Sequence, residues 1–252
     1  MNNKNLKTAA VIVIGNEILS GRTQDKNISY IGKELEKLGI ALDEVIIIPD
    51  VEQTIINKVE HYSENYDYVF TTGGIGPTHD DITTESIAKA FNVKVLRNPE
   101  AVAIMDEYYE PGALTEARLK MADIPEGASL IENPVSAAPA YQINNVFVLA
   151  GVPNIMQAMF QSLIGSLVGG PPILTASIGT DLTESKIAEG MKNIQNECEE
   201  VSIGSYPYFK QGKPGVNIVL RSTDKTLLCK QIDLIEVLIN ETNGKVLEKN
   251  LP

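Results

Sequence analysis

Residues 68–83 read YVFTTGGIGPTHDDIT. The first five are aromatic or β-branched with no charge among them, the pattern of a strand covered on both faces. Three glycines follow within four positions, at Gly73, Gly74 and Gly76. Lacking a Cβ, they let the chain turn tightly and let main chain approach a ligand closely. The run from Ile82 then predicts a helix to about Phe91. A strand that ends in a glycine turn and enters a helix is the opening of a βαβ unit.

The same alternation extends outward. Residues 9–14 (AAVIVI) form another continuous apolar run. Ile28, Ile31, Leu35 and Leu38 step by three, four and three, predicting a helix over about 24–38 that Gly39 ends at the C′ position. Residues 45–48 predict a strand stopped by Pro49, and Ile55, Ile56, Val59 and Tyr62 mark the next helix. Residues 146–149 (VFVL) predict a strand that leads through Gly151 and Pro153 into a helix carrying Ile155, Met159, Phe160 and Leu163. This order predicts an α/β fold, a parallel sheet with helices on both faces.

Gly169-Gly170-Pro171-Pro172 reads as a linker, placing one domain at 1–168 and a second at 172–252. In the second, residues 173–178 predict a strand. Asp181 with Glu184 reads as a cap pair opening a helix to about Cys198. Residues 201–209 and 216–221 predict two strands joined by a turn holding Gly212, Pro214 and Gly215. A helix over 227–239 and a short strand at 245–247 complete a small α+β domain.

Composition narrows the function. With 43% hydrophobic residues the 252-residue chain can build a core, which excludes global disorder. Its 33 acidic residues outnumber 21 basic ones, for a net charge of −12, a field that repels nucleic-acid backbones. A local nest of N–H groups can still hold a small anion. Two cysteines 31 positions apart and two histidines argue against a zinc site or a disulfide framework. The start, Met1 to Thr8, is polar, the apolar run after it is short, and no stretch of about 18 apolar residues occurs. The expectation is a cytoplasmic protein with neither membrane nor nucleic acid as partner.

The chemistry concentrates at the predicted carboxyl edge of the sheet, where open α/β sheets bind ligands. Successive amides at a helix start attract phosphate. Asp80 and Asp81 beside them would repel it unless a cation lay between, which suggests a divalent ion bridging to phosphate oxygens. The competing reading has Asp81 capping the helix and the glycines making only a turn. The spacing is neither GxGxxG nor GxxxxGK[ST], which disfavours dinucleotide and P-loop readings. Residues 15–27 (GNEILSGRTQDKN) follow the first strand and bring Glu17, Asp25 and Asn27 to the same edge. Asp50 follows Pro49 there, or is a turn residue. In residues 133–141 (NPVSAAPAY) the Ser136 hydroxyl is a candidate anion ligand. Arg118 and Lys120 are candidate cations, though surface roles suit both. His61 reads as boundary packing, and His79, inside the turn, as structural before metal-binding.

Taken in order, residues 15–27, 73–83, 117–125 (ARLKMADIP), 133–139 and 148–160 (VLAGVPNIMQAMF) resemble the N-terminal portion of CinA-type proteins (competence/damage-inducible protein A), which contain a MoaB/Mog molybdopterin-binding-like domain. Glu184-Ser185-Lys186 and Gly204-Ser205-Tyr206-Pro207 are similar to the small α+β domain that follows in that family. The resemblance implies a three-layer α/β/α fold with a mostly parallel sheet, commonly oligomeric. Relatives bind molybdopterin and some adenylylate it. CinA-type and related flavin-enzyme domains are associated with divalent-metal-dependent hydrolysis of ADP-ribose or FAD at the diphosphate. The deamidase domain of full-length members is not expected in this chain.

Together these readings expect a homo-oligomeric nucleotide pyrophosphatase with a small nucleotide or pterin ligand. Gly73, Gly74, Gly76, Thr78 and Ser136 would bind phosphate. Asp80, Asp81 and Lys120 would be catalytic. Asp80, Asp81, Glu17 and Asp50 would hold Mg, Mn or Co. The alternatives are a molybdopterin-binding or -adenylylating protein and a non-catalytic oligomeric binding protein. Two departures stand out: Asn16 replaces the first acid of the family's GDEIL string, and NPVSAAPA replaces NPVGTAPG. The second puts a Cβ at Ser136 and Ala140, where a positive φ or a close backbone approach would forbid one.

Overall fold

The computed structural model describes residues 6–210 and 212–252. The chain divides into two compact units. The larger holds Lys7–Leu35 and Ile40–Gly169, while Glu36–Gly39 group with Gly170–Pro252 in the smaller.

In the larger unit, strands β1 (Lys7–Ile14), β2 (Ile40–Ile48) and β3 (Tyr68–Thr72) alternate with helices α1 (Asn16–Leu19), α2 (Asn27–Lys37) and α3 (Glu52–Asn65). Helix α4 (Thr83–Ala90) follows the glycine turn. Then come β4 (Val95–Arg97), α5 (Pro99–Tyr108), α6 (Glu116–Leu119), β5 (Asp123–Pro125), β6 (Ser129–Ile131), β7 (Ala140–Ile143), β8 (Val146–Leu149) and α7 (Pro153–Leu163). The main sheet runs β2-β1-β3-β8-β7-β6. Its first four strands are parallel, and β7 and β6 pair antiparallel at the far edge.

Strand alternation dictates the two faces. Ala10, Ile12 and Ile14 of β1 pack with Ile55, Val59 and Tyr62 of α3 and Ile87 of α4. The rings on the other face are Phe70 of β3 and Phe147 of β8, stacked at 5.2 Å between centroids, with Phe160 of α7 at 5.3 Å from Phe70. Tyr30 of α2 meets Phe160 edge-on. Helices therefore cover both faces, and the parallel strand ends converge on one edge.

Strand β2 begins at Ile40, five residues before the expected 45. Asp43 and Glu44 interrupt the apolar run, and Glu44 finds partners instead in the hydroxyls of Tyr62 and Tyr66. Those two hydrogen bonds hold its carboxyl below the ordinary range. Helix α2 begins at Asn27, because Asp25 accepts from the Ile28 amide at 2.9 Å and starts it there.

The smaller unit has an antiparallel sheet ordered β10-β11-β9-β12, formed by β9 (Leu174–Thr180), β10 (Ser202–Lys210), β11 (Lys213–Ser222) and β12 (Val246–Asn250). Helices α8 (Glu184–Glu197) and α9 (Lys225–Glu241) pack on it through Ile187, Leu228, Ile232 and Ile235. The expected Asp181 cap is not formed. Thr183 holds the N-cap position without a side-chain bond, Asp181 accepts from the Lys245 amide at 2.7 Å, and Glu184 accepts from the Ser205 hydroxyl at 2.6 Å. Pro214 and Gly215 lie inside β11 and not in a turn. Pro214 pairs with Phe209 near the strand's start, and a Cβ at position 215 would meet the Tyr208 ring.

Phe70 is fully buried at the centre of the ring stack. Phe70→Ala is expected to cost about 3–5 kcal/mol, read as a lower midpoint in urea unfolding at unchanged slope.

Candidate functional site

The turn after β3 exists because two glycines adopt positive φ angles that other residues rarely take and leave room where a Cβ would collide. Gly73 and Gly74 have φ of 105° and 69°. A Cβ on Gly73 would collide with the Ile14 carbonyl oxygen, and one on Gly74 with the Thr83 hydroxyl. The Gly73 amide donates to Leu149 O at 3.1 Å, and the Thr83 hydroxyl donates to Gly73 O at 2.9 Å. The turn is thus pinned to the ends of β1 and β8 and to the start of α4. Among the described residues, the amides of Gly74, Ile75 and Gly76 have no acceptor.

These residues line a basin of about 490 Å³ at the carboxyl edge of the sheet. Beside the glycine turn, on the neighbouring strand, stands a second strand-turn-helix, β8 through Gly151 and Val152 into Pro153 of α7. The first amides of α7 have no partner inside the helix and add positive potential to the basin. Ile75, Met121, Ile155 and Met159 supply apolar walls. Asn133, Ser136 and Pro139 close a further side.

Gly73, Gly74, Gly76, Ser136, Asp81 and Glu17 all line the basin. The Asp81 carboxylate lies over Gly76, where a Cβ would crowd it. Its Oδ2 accepts from the Thr78 amide at 2.9 Å and from the Thr78 hydroxyl at 2.5 Å. Thr78 therefore acts through Asp81 and is not itself on the basin wall. Asp81 Oδ1 has no partner among the described residues. The Glu17 carboxylate curls back against Gly15.

The other expected residues are placed elsewhere. Asp80 is exposed beside the turn. Hydrogen bonding to Thr78 and to its own backbone, aided by His79 and Lys120, holds its carboxyl below the ordinary range. His79 is fully exposed, 4.0 Å from Asp80. Asp50 accepts from the Asn16 amide at 2.9 Å, fixing the start of α1. Lys120 donates to the carbonyls of Thr78 and Asp81, both at 2.8 Å, so it straps the turn from behind. Arg118 donates to Ala113 O and lies over the Tyr109 ring.

Among the described residues, no three His, Cys, Asp or Glu side chains cluster as a metal cage. Two carboxylates, Glu17 and Asp81, share the basin. That donor set fits an ion of the magnesium type, which takes one or two protein carboxylates and completes its shell with water and substrate phosphate.

In the rim loop, the left-handed residue is Ala137 (φ 62°) and not Ser136 or Ala140. Asn133 holds it there. Its Nδ2 donates to Ser136 Oγ and to Ala138 O, both at 2.7 Å, and its Oδ1 accepts from the amides of Val135 and Ser136. Asn133, Met121 and the residues from Gly151 to Met159 were not among the expected site residues. The signal for the last group is the strand-turn-helix grammar of residues 146–160, the same that marked the glycine turn.

Residues 10–169 match the model of a family described as probable molybdopterin binding domain, and residues 172–240 match the FAD synthase middle domain. A protein of Archaeoglobus fulgidus is 34% identical over 232 residues, spanning 92% of this chain and 97% of its own. A probable FAD synthase of Caenorhabditis briggsae is 32% identical over 230 residues, which span 81% of this chain but 44% of that protein. The crystal structure of CinA, of unknown function, from Thermoplasma acidophilum is 36% identical with a TM-score of 0.59, over 64% of this chain and 98% of that one.

Gly21 also has a positive φ, with nothing near its missing Cβ. Gly21→Ala is expected to cost only the backbone strain, about 1 kcal/mol. Gly73→Ala adds a collision with main chain and is expected to cost at least about 3 kcal/mol. Equal losses in chemical denaturation would contradict this account of the turn.

Proposed function

The chain belongs to the family of molybdopterin-binding-like (MoaB/Mog-type) domains, here followed by a FAD synthase middle domain, and on that premise we propose that it is a divalent-metal-dependent hydrolase of a nucleotide diphosphate linkage of the ADP-ribose or FAD kind. The observation that carries the reading is one of juxtaposition. Acceptor-free amides of Gly74, Ile75 and Gly76 share a basin with the carboxylates of Glu17 and Asp81.

The amides bind diphosphate oxygens, and the first turn of α7, on the same basin, adds favourable potential. Glu17 and Asp81, the two carboxylates that line the basin, would hold the ion. When bound, the ion neutralises phosphate charge and lowers the pKa of a water. Thr78 and Lys120 keep Asp81 and the turn in register, so they are positioning residues. The apolar walls take a planar ring. We further take the protein to act in the cytoplasm as a homo-oligomer. Among the described residues, no helix is long and apolar enough to cross a membrane.

A second reading has support in the family's own description: a pterin ending in phosphate would use the same amides and the same apolar walls. Co-purified pterin, or adenylyl transfer from ATP without cleavage of ADP-ribose, would select it. A monodisperse oligomer with no nucleotide-induced thermal shift would select a non-catalytic binding protein.

The deciding assay incubates the protein with ADP-ribose, FAD, NAD or ATP plus Mg²⁺, Mn²⁺ or Co²⁺, and measures AMP. Asp81→Asn keeps an acceptor for Thr78 and loses the charge. It is expected to lower kcat by about 100-fold or more with little change in nucleotide affinity. Asp80→Asn, off the basin wall, is expected to stay within a few-fold of wild type. Undiminished turnover in Asp81→Asn would sink the mechanism.

A further inference from the structure

A second cavity, of about 500 Å³, lies in the larger unit between α5 and the segment from Leu130 to Pro139. On α5 it is lined by Glu100, Ile104, Glu107 and Tyr108. These positions step by four, three and one and so share one face of the helix, while Ala101 and Met105 go into the core. Ile104 and Tyr108 are 40% and 55% exposed on that face. Leu130 and Pro134 make the other wall apolar, with Glu132 beside them. The Tyr108 hydroxyl donates to Val135 O at 3.1 Å and ties the end of α5 to that wall.

Among the described residues, no cation or hydrogen-bond donor meets the carboxylates of Glu100, Glu107 or Glu132. Elsewhere the acids of this unit are engaged: Asp67 by Lys7, Glu52 by Lys89 and Asp123 by Arg97. Three uncompensated negative charges around an apolar groove draw in positive charge.

The layout restricts what answers them. Seven residues of helix set Glu100 and Glu107 about 10 Å apart, with Ile104 between. In an extended peptide, alternate side chains share a face, and the first and fifth residues lie about 13 Å apart. Arginines at those two places can bend their long stems inward to reach both acids, and the stems cover apolar wall as they do so. The third residue, if aliphatic, meets Ile104 and Leu130. A linear polyamine could span the acids but has no branch to fill the space between those walls. A second copy of this chain, with net charge −12, is the poorer match by charge.

We propose that this groove docks an extended basic segment of a partner protein, patterned cation-x-aliphatic-x-cation. It is a protein-docking surface separate from the chemistry proposed for the basin.

Nitrogen–proton NMR of the full chain tests it, with two capped peptides as probes: Arg-Ser-Leu-Ser-Arg and Arg-Ser-Ser-Ser-Arg. The leucine peptide is expected to shift the amides of residues 100–108 and 130–135 saturably. The serine peptide, of equal charge, is expected to bind at least about threefold more weakly, because it buries no aliphatic group. The double variant Glu100→Gln, Glu107→Gln keeps shape and removes two charges. It is expected to weaken the leucine peptide by about three- to tenfold. Glu64→Gln, an exposed acid of α3, is expected to leave that affinity close to unchanged. Equal binding of the two peptides, or shifts spread over the whole surface, would mean general attraction to an acidic chain and would overturn the groove. Spermidine that shifts the same amides at lower concentration would assign the cavity to polyamines. Shifts there on raising the protein concentration alone would assign it to a second copy. Either result would overturn the proposal, as would the absence of any shift at these residues.

Discussion

The site hangs on one close approach. Gly73 sits where the ends of β1, β3 and β8 meet. Its missing Cβ leaves room for the Ile14 carbonyl, its amide bonds to Leu149, and its carbonyl accepts from Thr83. Gly151 comes close on the other side, where a Cβ would press on Gly73 Cα. Three strand ends are thereby drawn into van der Waals contact. The amides of the next three residues are turned away from the sheet's own hydrogen bonds. An ordinary residue at Gly73 would push the strand ends apart and close neither the turn nor the basin.

That geometry resolves an electrostatic conflict. A chain with net charge −12 is a poor general host for an anion. Several of its carboxylates around this edge are engaged by main-chain amides: Asp25 by Ile28, Asp50 by Asn16, and Asp81 by Thr78. Each such bond ties a loop and uses up a donor. The amides of Gly74, Ile75 and Gly76 escape this. Their neighbouring acid bends back to Thr78, and Lys120 occupies the carbonyls behind them. At one spot the chain therefore leaves main-chain donors unspent in spite of its acidic surroundings.

How much of this can be read without coordinates follows from signal length. Strands β1, β3 and β8 carry apolar or β-branched runs with no charge inside them after Lys7 and are legible, as are the stripes of α2, α3 and α7. Residues 95–143 carry strands of three or four residues, too short for periodicity to speak. Even there Asn98-Pro99 marks a helix start, since Asn98 Oδ1 accepts from the amides of Glu100 and Ala101 ahead of a proline at the first position. Within the site, composition reveals that acids gather near the glycines but not which of them face inward. Asp80 and Asp81 are adjacent and chemically identical, and only the Thr78 turn sends one over Gly76 and the other to solvent. Lys120 has the right charge for a phosphate ligand, yet two carbonyls 39 and 42 positions away claim it.

The rim loop shows how a non-glycine residue can be held in a left-handed conformation. Ala137 is held left-handed, a conformation that costs a non-glycine residue about 1–2 kcal/mol. The cost is met locally, because the almost fully buried Asn133 side chain makes four hydrogen bonds within the loop. In doing so it donates to Ser136 Oγ, which fills one of that oxygen's lone pairs and leaves its own proton free. A serine held in this way keeps a hydroxyl donor at the rim of the basin, whereas glycine would offer only backbone. Serine at position 136 therefore places a hydroxyl on the wall of the basin that the glycine turn also lines.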